Sequence, residues 1–161
     1  MSFQIQRVTT RYSEVEDRLL LQVELPDAVT AEFWLSRRFL DRLLPVLIQQ
    51  IDHSKQRDAH HNMLQAFNQQ AAISSMKPCE PVETVPKQHS FLITSVDIQA
   101  NDQQVRLIFR IEENEYVLNL DNTELRQWLW IIYKAFESAE WQSHLWPSWF
   151  KGEIDTPDHM H

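Results

Sequence analysis

Apolar residues recur at helical spacing in two stretches of the chain. Within each stretch they fall three or four residues apart, as on the buried face of an amphipathic helix. Ser36 and Asp121 precede the two stretches and are suited to cap a first helical turn, and Glu124 completes a capping box with Asp121. The sequence thus predicts two principal helices. Their apolar positions are Leu40, Leu43, Leu44, Leu47, Ile48 and Ile51, and then Leu125, Trp128, Leu129, Ile132, Tyr133 and Phe136.

Apolar and polar residues alternate in the segments before each helix. Such alternation is typical of strands that bury one face. We therefore predict six strands, mainly antiparallel, three before each helix. They occupy residues 3–12, 18–25, 30–35, 90–99, 105–112 and 116–120.

The two halves of the chain also match in sequence. At a single offset of 88 residues, six positions of the first half coincide with identical residues in the second: Phe3 and Phe91, Ile5 and Ile93, Val8 and Val96, Arg18 and Arg106, Leu19 and Leu107, and Glu24 and Glu112. We therefore predict an α+β protein built by tandem duplication of a strand-strand-strand-helix unit, with pseudo-twofold symmetry. Residues 3–51 form the first repeat and residues 90–139 the second, within a single domain spanning 1–161.

Three segments lie outside the predicted repeats. Residues 52–75 form a helical extension, 76–89 a proline-containing linker, and 140–161 an aromatic-rich C-terminal tail. The extension and the tail hold apolar residues that the repeated core does not need, and surplus apolar surface usually marks an interface. We expect the interface to include Met63, Leu64, Phe67, Trp146, Trp149 and Phe150.

Composition restricts the possible partners. The net charge of −8 argues against broad attraction to nucleic acid or anionic lipid, and no apolar run reaches the roughly 20 residues of a membrane helix. No secretory signal is visible, and Cys79 is the only cysteine, so we expect a cytoplasmic protein. A single glycine, Gly152, rules out a glycine-rich phosphate loop.

Charged residues on the predicted strands suggest one possible binding face. Arg18 and Arg106 are equivalent in the two repeats, Arg110 lies close to Arg106 along the chain, and Arg11 and Tyr12 belong to the first strand. These residues would form a ligand or nucleic-acid face if they gather on the open side of the sheet. The alternative is cross-strand ion pairing on a solvated sheet, which contributes little free energy.

Histidines raise the question of a metal. His53, His60 and His61 would share one side of a continuous helix, but their spacing meets only part of what a zinc site requires. We predict neither metal nor cofactor. The sequence holds no recognisable pair of nucleophile and base, so we assign no catalytic residues and do not expect an enzyme.

Two functions remain. The first is a non-enzymatic interaction module that forms a homodimer or binds another protein. The second is binding of single-stranded nucleic acid, because duplicated units of several strands and a helix resemble the topology of Whirly and PUR-type DNA-binding proteins. That resemblance implies a sheet presenting arginines and an aromatic ring to an unpaired strand. Arginines segregated from acids would favour the second function, and interleaved charges would favour the first.

Overall fold

The fold was obtained as a computed structural model that describes residues 1–52, 59–86 and 88–152. It is α+β, as predicted. Among the described residues, no helix combines the length and the apolar character needed to cross a membrane. The strands are β1 (Ser2–Gln4), β2 (Arg7–Ser13), β3 (Arg18–Glu24), β4 (Thr30–Leu35), β5 (Ser90–Leu92), β6 (Val96–Ala100), β7 (Gln104–Ile111) and β8 (Asn114–Asp121). The helices are α1 (Arg37–Ile51), α2 (Ala59–Ser74) and α3 (Asn122–Ala139), with a 3-10 turn at Pro26–Ala28.

The strands form two sheets of four. The first sheet has the order β1-β8-β7-β6, and the second has the order β2-β3-β4-β5. The short strands β1 and β5 pair in parallel with β8 and β4, whereas the longer neighbours pair antiparallel. Each half of the chain therefore contributes three long strands to one sheet and one short strand to the other.

The prediction of six strands is wrong, because each predicted first strand is divided between the two sheets. The amide of Ile5 donates to Val117 in the first sheet, and the amide of the next residue, Gln6, donates to Glu24 in the second. The chain makes the reverse crossing after Ile93. Both crossing isoleucines are buried, so the change of sheet takes place in the core.

The core lies between the inner faces of the two sheets and the apolar faces of the helices. Phe33, on β4, is fully buried and contacts the rings of Phe109 and Tyr116 in the other sheet, at centroid distances of 5.7 and 5.3 Å. The outer faces of the sheets consequently point away from each other. The strongest sequence signals are confirmed here, since all six predicted apolar positions of α1 are buried.

Both predicted helix caps are present. The hydroxyl of Ser36 accepts from the amide of Phe39 at 3.2 Å. Asp121 accepts from the amide of Glu124 at 2.8 Å, and the Glu124 carboxylate accepts from the amide of Asp121 at 3.1 Å. These reciprocal bonds satisfy amide donors that a helix start otherwise leaves free. The remaining helix, α2, lies in the segment predicted as a helical extension.

Candidate interaction surface

Helix α2 packs against α3 through polar side chains. Gln69 is fully buried, and its side-chain amide donates to the main-chain carbonyl of Arg126 at 3.1 Å. The Arg126 guanidinium donates in turn to Gln65 at 2.5 Å. Burial lowers the pKa of Arg126 to about 10, a shift that the nearby Asp52 carboxylate opposes. The hidden face of α2 thus combines these hydrogen-bonded glutamines with two small apolar residues, Ala66 and Ala72.

A second polar contact fixes the beginning of α2. Nε2 of His61 lies 2.7 Å from Oδ1 of Asp52, the residue that follows α1. Asp52 is almost fully buried, so this contact joins the end of α1 to the first turn of α2 inside the protein. The first histidine of the predicted group, His53, lies outside the described residues. No group of three potential metal ligands occurs among the residues that are described.

The opposite face of α2 is apolar and exposed. Met63 is 56% exposed, Leu64 50% and Phe67 70%, and Ala71 continues the same stripe one turn further on. We call these four residues the α2 stripe. Because apolar side chains normally point inward, a helix that buries glutamines and exposes a phenylalanine is inverted relative to the usual amphipathic helix.

The α2 stripe also lies on an uncharged helix. Residues Ala59–Ser74 include two histidines but no Asp, Glu, Lys or Arg. Although 24% of the residues in the chain are charged, α2 contributes no charged side chain beside the α2 stripe. Two copies of α2 therefore bring no like-charged side chains of their own into contact, although each chain carries a net charge of −8.

The aromatic residues predicted for the interface are buried within their own chain. Trp146, Trp149 and Phe150 are 6%, 2% and 0% exposed. The ring of Trp146 packs on Phe136 of α3 and on Phe150, with centroids 5.5 and 4.9 Å apart. Their large apolar area is satisfied by docking on α3, so the surface that a partner can reach does not include them.

The arginines predicted to form one face are divided between the two sheets. Arg11 and Arg18 lie on the second sheet, whereas Arg106 and Arg110 lie on the first. Since the outer faces point away from each other, the structure does not bring these two pairs together. Arg18 and Arg106, which match in the two halves of the sequence, therefore lie on two separate faces and do not form one symmetric face.

Three arginines of the sheets are paired with carboxylates. Arg110 bridges Asp97 and Glu115, each at 2.5 Å, and these bonds raise its pKa. The other two pairs are Arg7 with Glu24 at 2.8 Å and Arg18 with Glu16 at 4.0 Å. Positive and negative charges are therefore interleaved at these three positions.

Tyr12 does not accompany Arg11 on the outer face, because successive strand residues point to opposite sides of a sheet. Its hydroxyl donates to Asp17 at 2.6 Å, and its ring packs edge-on against Trp141 at 5.5 Å. Trp141 donates to the same Asp17 carboxylate at 3.1 Å. Tyr12 therefore joins the β2–β3 turn to the C-terminal tail and is not placed to stack on a base beside Arg11.

The bond between Tyr12 and Asp17 is expected to make stability fall at alkaline pH. It raises the pKa of Tyr12 to about 12, above the usual value of about 10. The stabilisation is complete below pH 10 and is lost as the pH rises through 12, because the unfolded tyrosine ionises first. Thermal unfolding of wild type and Tyr12→Phe should show a difference in midpoint that shrinks above pH 10. A difference that stays constant with pH would contradict this role.

The linker covers part of the outer face of the second sheet, a feature that sequence reasoning missed. The amide of Val82 donates to the Thr9 hydroxyl at 2.8 Å. Thr84 accepts from Gln22 at 2.9 Å and donates to Glu32 at 2.8 Å, and both of these strand residues are buried. In the sequence, the only sign of this contact was that Gln22 and Glu32 are polar residues at outward-facing strand positions. That sign did not show which segment of the chain would cover them.

Comparison with known protein families, with curated proteins and with solved structures finds no match to this chain.

Proposed function

We propose that this protein is a non-enzymatic interaction module that self-associates through the α2 stripe. The observation that carries the proposal is the inversion of α2, which buries Gln65 and Gln69 and leaves Phe67 70% exposed. The buried polar cluster holds the helix in this orientation, so the apolar face stays available. Such a face is stabilised when another apolar surface removes it from water.

The partner we propose is a second copy of the same chain. A twofold interface brings the same patch of both subunits together, so the patch must be complementary to itself. An uncharged apolar stripe satisfies this condition, and the −8 charge of each chain lies elsewhere. Burying one large apolar side chain contributes about 1.5–3 kcal/mol. Three such side chains per copy, set against the cost of association, lead us to expect a dimer of micromolar affinity.

Cross-linking tests whether two α2 helices meet. Ala71→Cys, in a Cys79→Ser background, places a thiol within the α2 stripe and keeps its three large side chains. Val46→Cys, at a half-exposed position on α1, is the matched control. A short bismaleimide should link Ala71→Cys into a covalent dimer in high yield and Val46→Cys in low yield. Equal yields from the two variants, or no dimer from Ala71→Cys, would contradict the proposed interface.

We also propose that the chain arose by tandem duplication. Its support is that the two sheets have the same construction when the halves are exchanged: the order β1-β8-β7-β6 corresponds to β5-β4-β3-β2. Strands β1, β2 and β3 match β5, β6 and β7 near the 88-residue offset, and β4 matches β8 at a smaller one. Each half supplies four strands and then a helix, with the short strand crossing to the other sheet. Neither half alone forms a complete four-stranded sheet, which explains why both are needed in one domain.

Binding of single-stranded nucleic acid is the alternative function. In its favour, Arg11 and Arg106 bond to the neutral amides of Gln22 and Asn119 rather than to carboxylates. These two arginines belong to different sheets, so one strand of nucleic acid would have to pass around the domain to reach both. Strong binding of a labelled oligonucleotide at low salt, weakening steeply as salt is added, would favour this alternative.

A further inference from the structure

A small cavity lies where the two short exchanged strands approach the 3-10 turn after β3. Its volume is about 260 Å³. Phe3 from β1, Phe91 from β5 and Tyr116 from β8 line it, together with the exposed residues Asp27 and His89. The cavity therefore depends on the exchange of the short strands between the sheets, since each of the two strands supplies one of its aromatic rings.

Tyr116 is the most informative residue of the cavity wall. The side chain is 8% exposed and its ring stacks on Phe3, with centroids 5.3 Å apart. Its hydroxyl is not among the buried polar atoms that lack a partner in the described part of the chain, so what Tyr116 offers to a ligand is its ring.

Asp27 gives the cavity its charge. It is the only carboxylate among the lining residues, and no lysine or arginine accompanies it. Within the described part of the chain, Asp27 makes no ion pair. The backbone at Asp27 and at His89 adopts positive φ, 65° and 48°, a conformation that aspartate and histidine take more readily than most residues and that four other non-glycine residues of the described chain share.

We propose that this cavity binds a small organic ammonium ion, either an amine or a quaternary ammonium compound. Aromatic rings attract a cation that lies within about 6 Å of the ring centroid, and the Asp27 carboxylate in the lining would attract the same cation. Among the described lining residues His89 is the only basic side chain, so an anion would meet the Asp27 carboxylate with no lysine or arginine of that lining to offset it. The volume lies slightly below the range of about 300–1,000 Å³ usual for drug-sized ligands, so the ion must be compact. This site is separate from the α2 stripe and does not depend on self-association.

Titration with tetramethylammonium chloride, followed by amide chemical shifts, tests the site. We expect shifts centred on Phe3, Phe91 and Tyr116, with a dissociation constant in the millimolar range or below. tert-Butanol has a similar size and no charge, so it should bind about tenfold more weakly if the cation is recognised. Equal binding of the two probes, or no shift from tetramethylammonium, would overturn the proposal.

Two matched substitutions complete the test. Asp27→Asn removes the charge and keeps a residue that tolerates positive φ, so the fold should persist, and we expect binding to weaken about fivefold or more. Asp41→Asn makes the same chemical change at an exposed position of α1 and should leave binding unaltered. Equal effects of the two substitutions would show that only the overall charge matters and would overturn the assigned site. The amide spectrum of each variant reports directly whether it is folded.

Discussion

Replacing Phe33 by alanine should lower the free energy of unfolding by about 3–5 kcal/mol. The ring is fully buried and contacts three aromatic side chains: Phe91 at 6.5 Å, Phe109 at 5.7 Å and Tyr116 at 5.3 Å between centroids. These neighbours come from three strands, so the cavity left by alanine would be surrounded by rings held in both sheets. Such a site cannot collapse without moving the sheets relative to each other.

Urea unfolding of wild type and Phe33→Ala measures this loss. Val15→Ala serves as the control, because Val15 is 95% exposed in a turn and its replacement should change stability by less than about 0.5 kcal/mol. A loss below about 1 kcal/mol for Phe33→Ala would show that the two sheets do not share the tightly packed core described above.

The elements with strong periodicity could be predicted from the sequence. The stripe of α1 and the caps at Ser36 and Asp121 are local features, determined by residues three or four positions apart. The crossing of the chain between sheets was not predicted, although the apolar alternation changes phase there: Phe3 and Ile5 are two residues apart, and Val8 follows three residues after Ile5. Only pairing with distant strands decides which sheet each residue joins.

The candidate surface could be predicted only in part. The spacing of Met63, Leu64 and Phe67 indicated an apolar helix face, and the structure shows that face to be exposed. Trp149 carried an equally strong apolar signal but is buried against its own chain. Apolar character alone does not distinguish a residue that docks within its chain from one that is left for a partner.

Replacing Phe67 by glutamate is expected to raise the dissociation constant of the proposed dimer by about 100-fold or more, which corresponds to roughly 2.8 kcal/mol. In a twofold interface the substitution places one carboxylate from each copy near an apolar surface, where an unpaired charge is costly and repels its equivalent. Since Phe67 is 70% exposed in the single chain, the fold itself should tolerate the change. Val46→Glu, which adds the same charge on α1, should leave association unchanged.

Sedimentation equilibrium of the wild-type chain across the micromolar concentration range tests self-association most directly. We predict a mass that rises with concentration from that of one chain, 19.2 kDa, to twice that value, and a Phe67→Glu variant that remains at the mass of one chain. A wild-type protein that stays monomeric at every concentration, or a dimer that Phe67→Glu does not weaken, would contradict self-association through the α2 stripe.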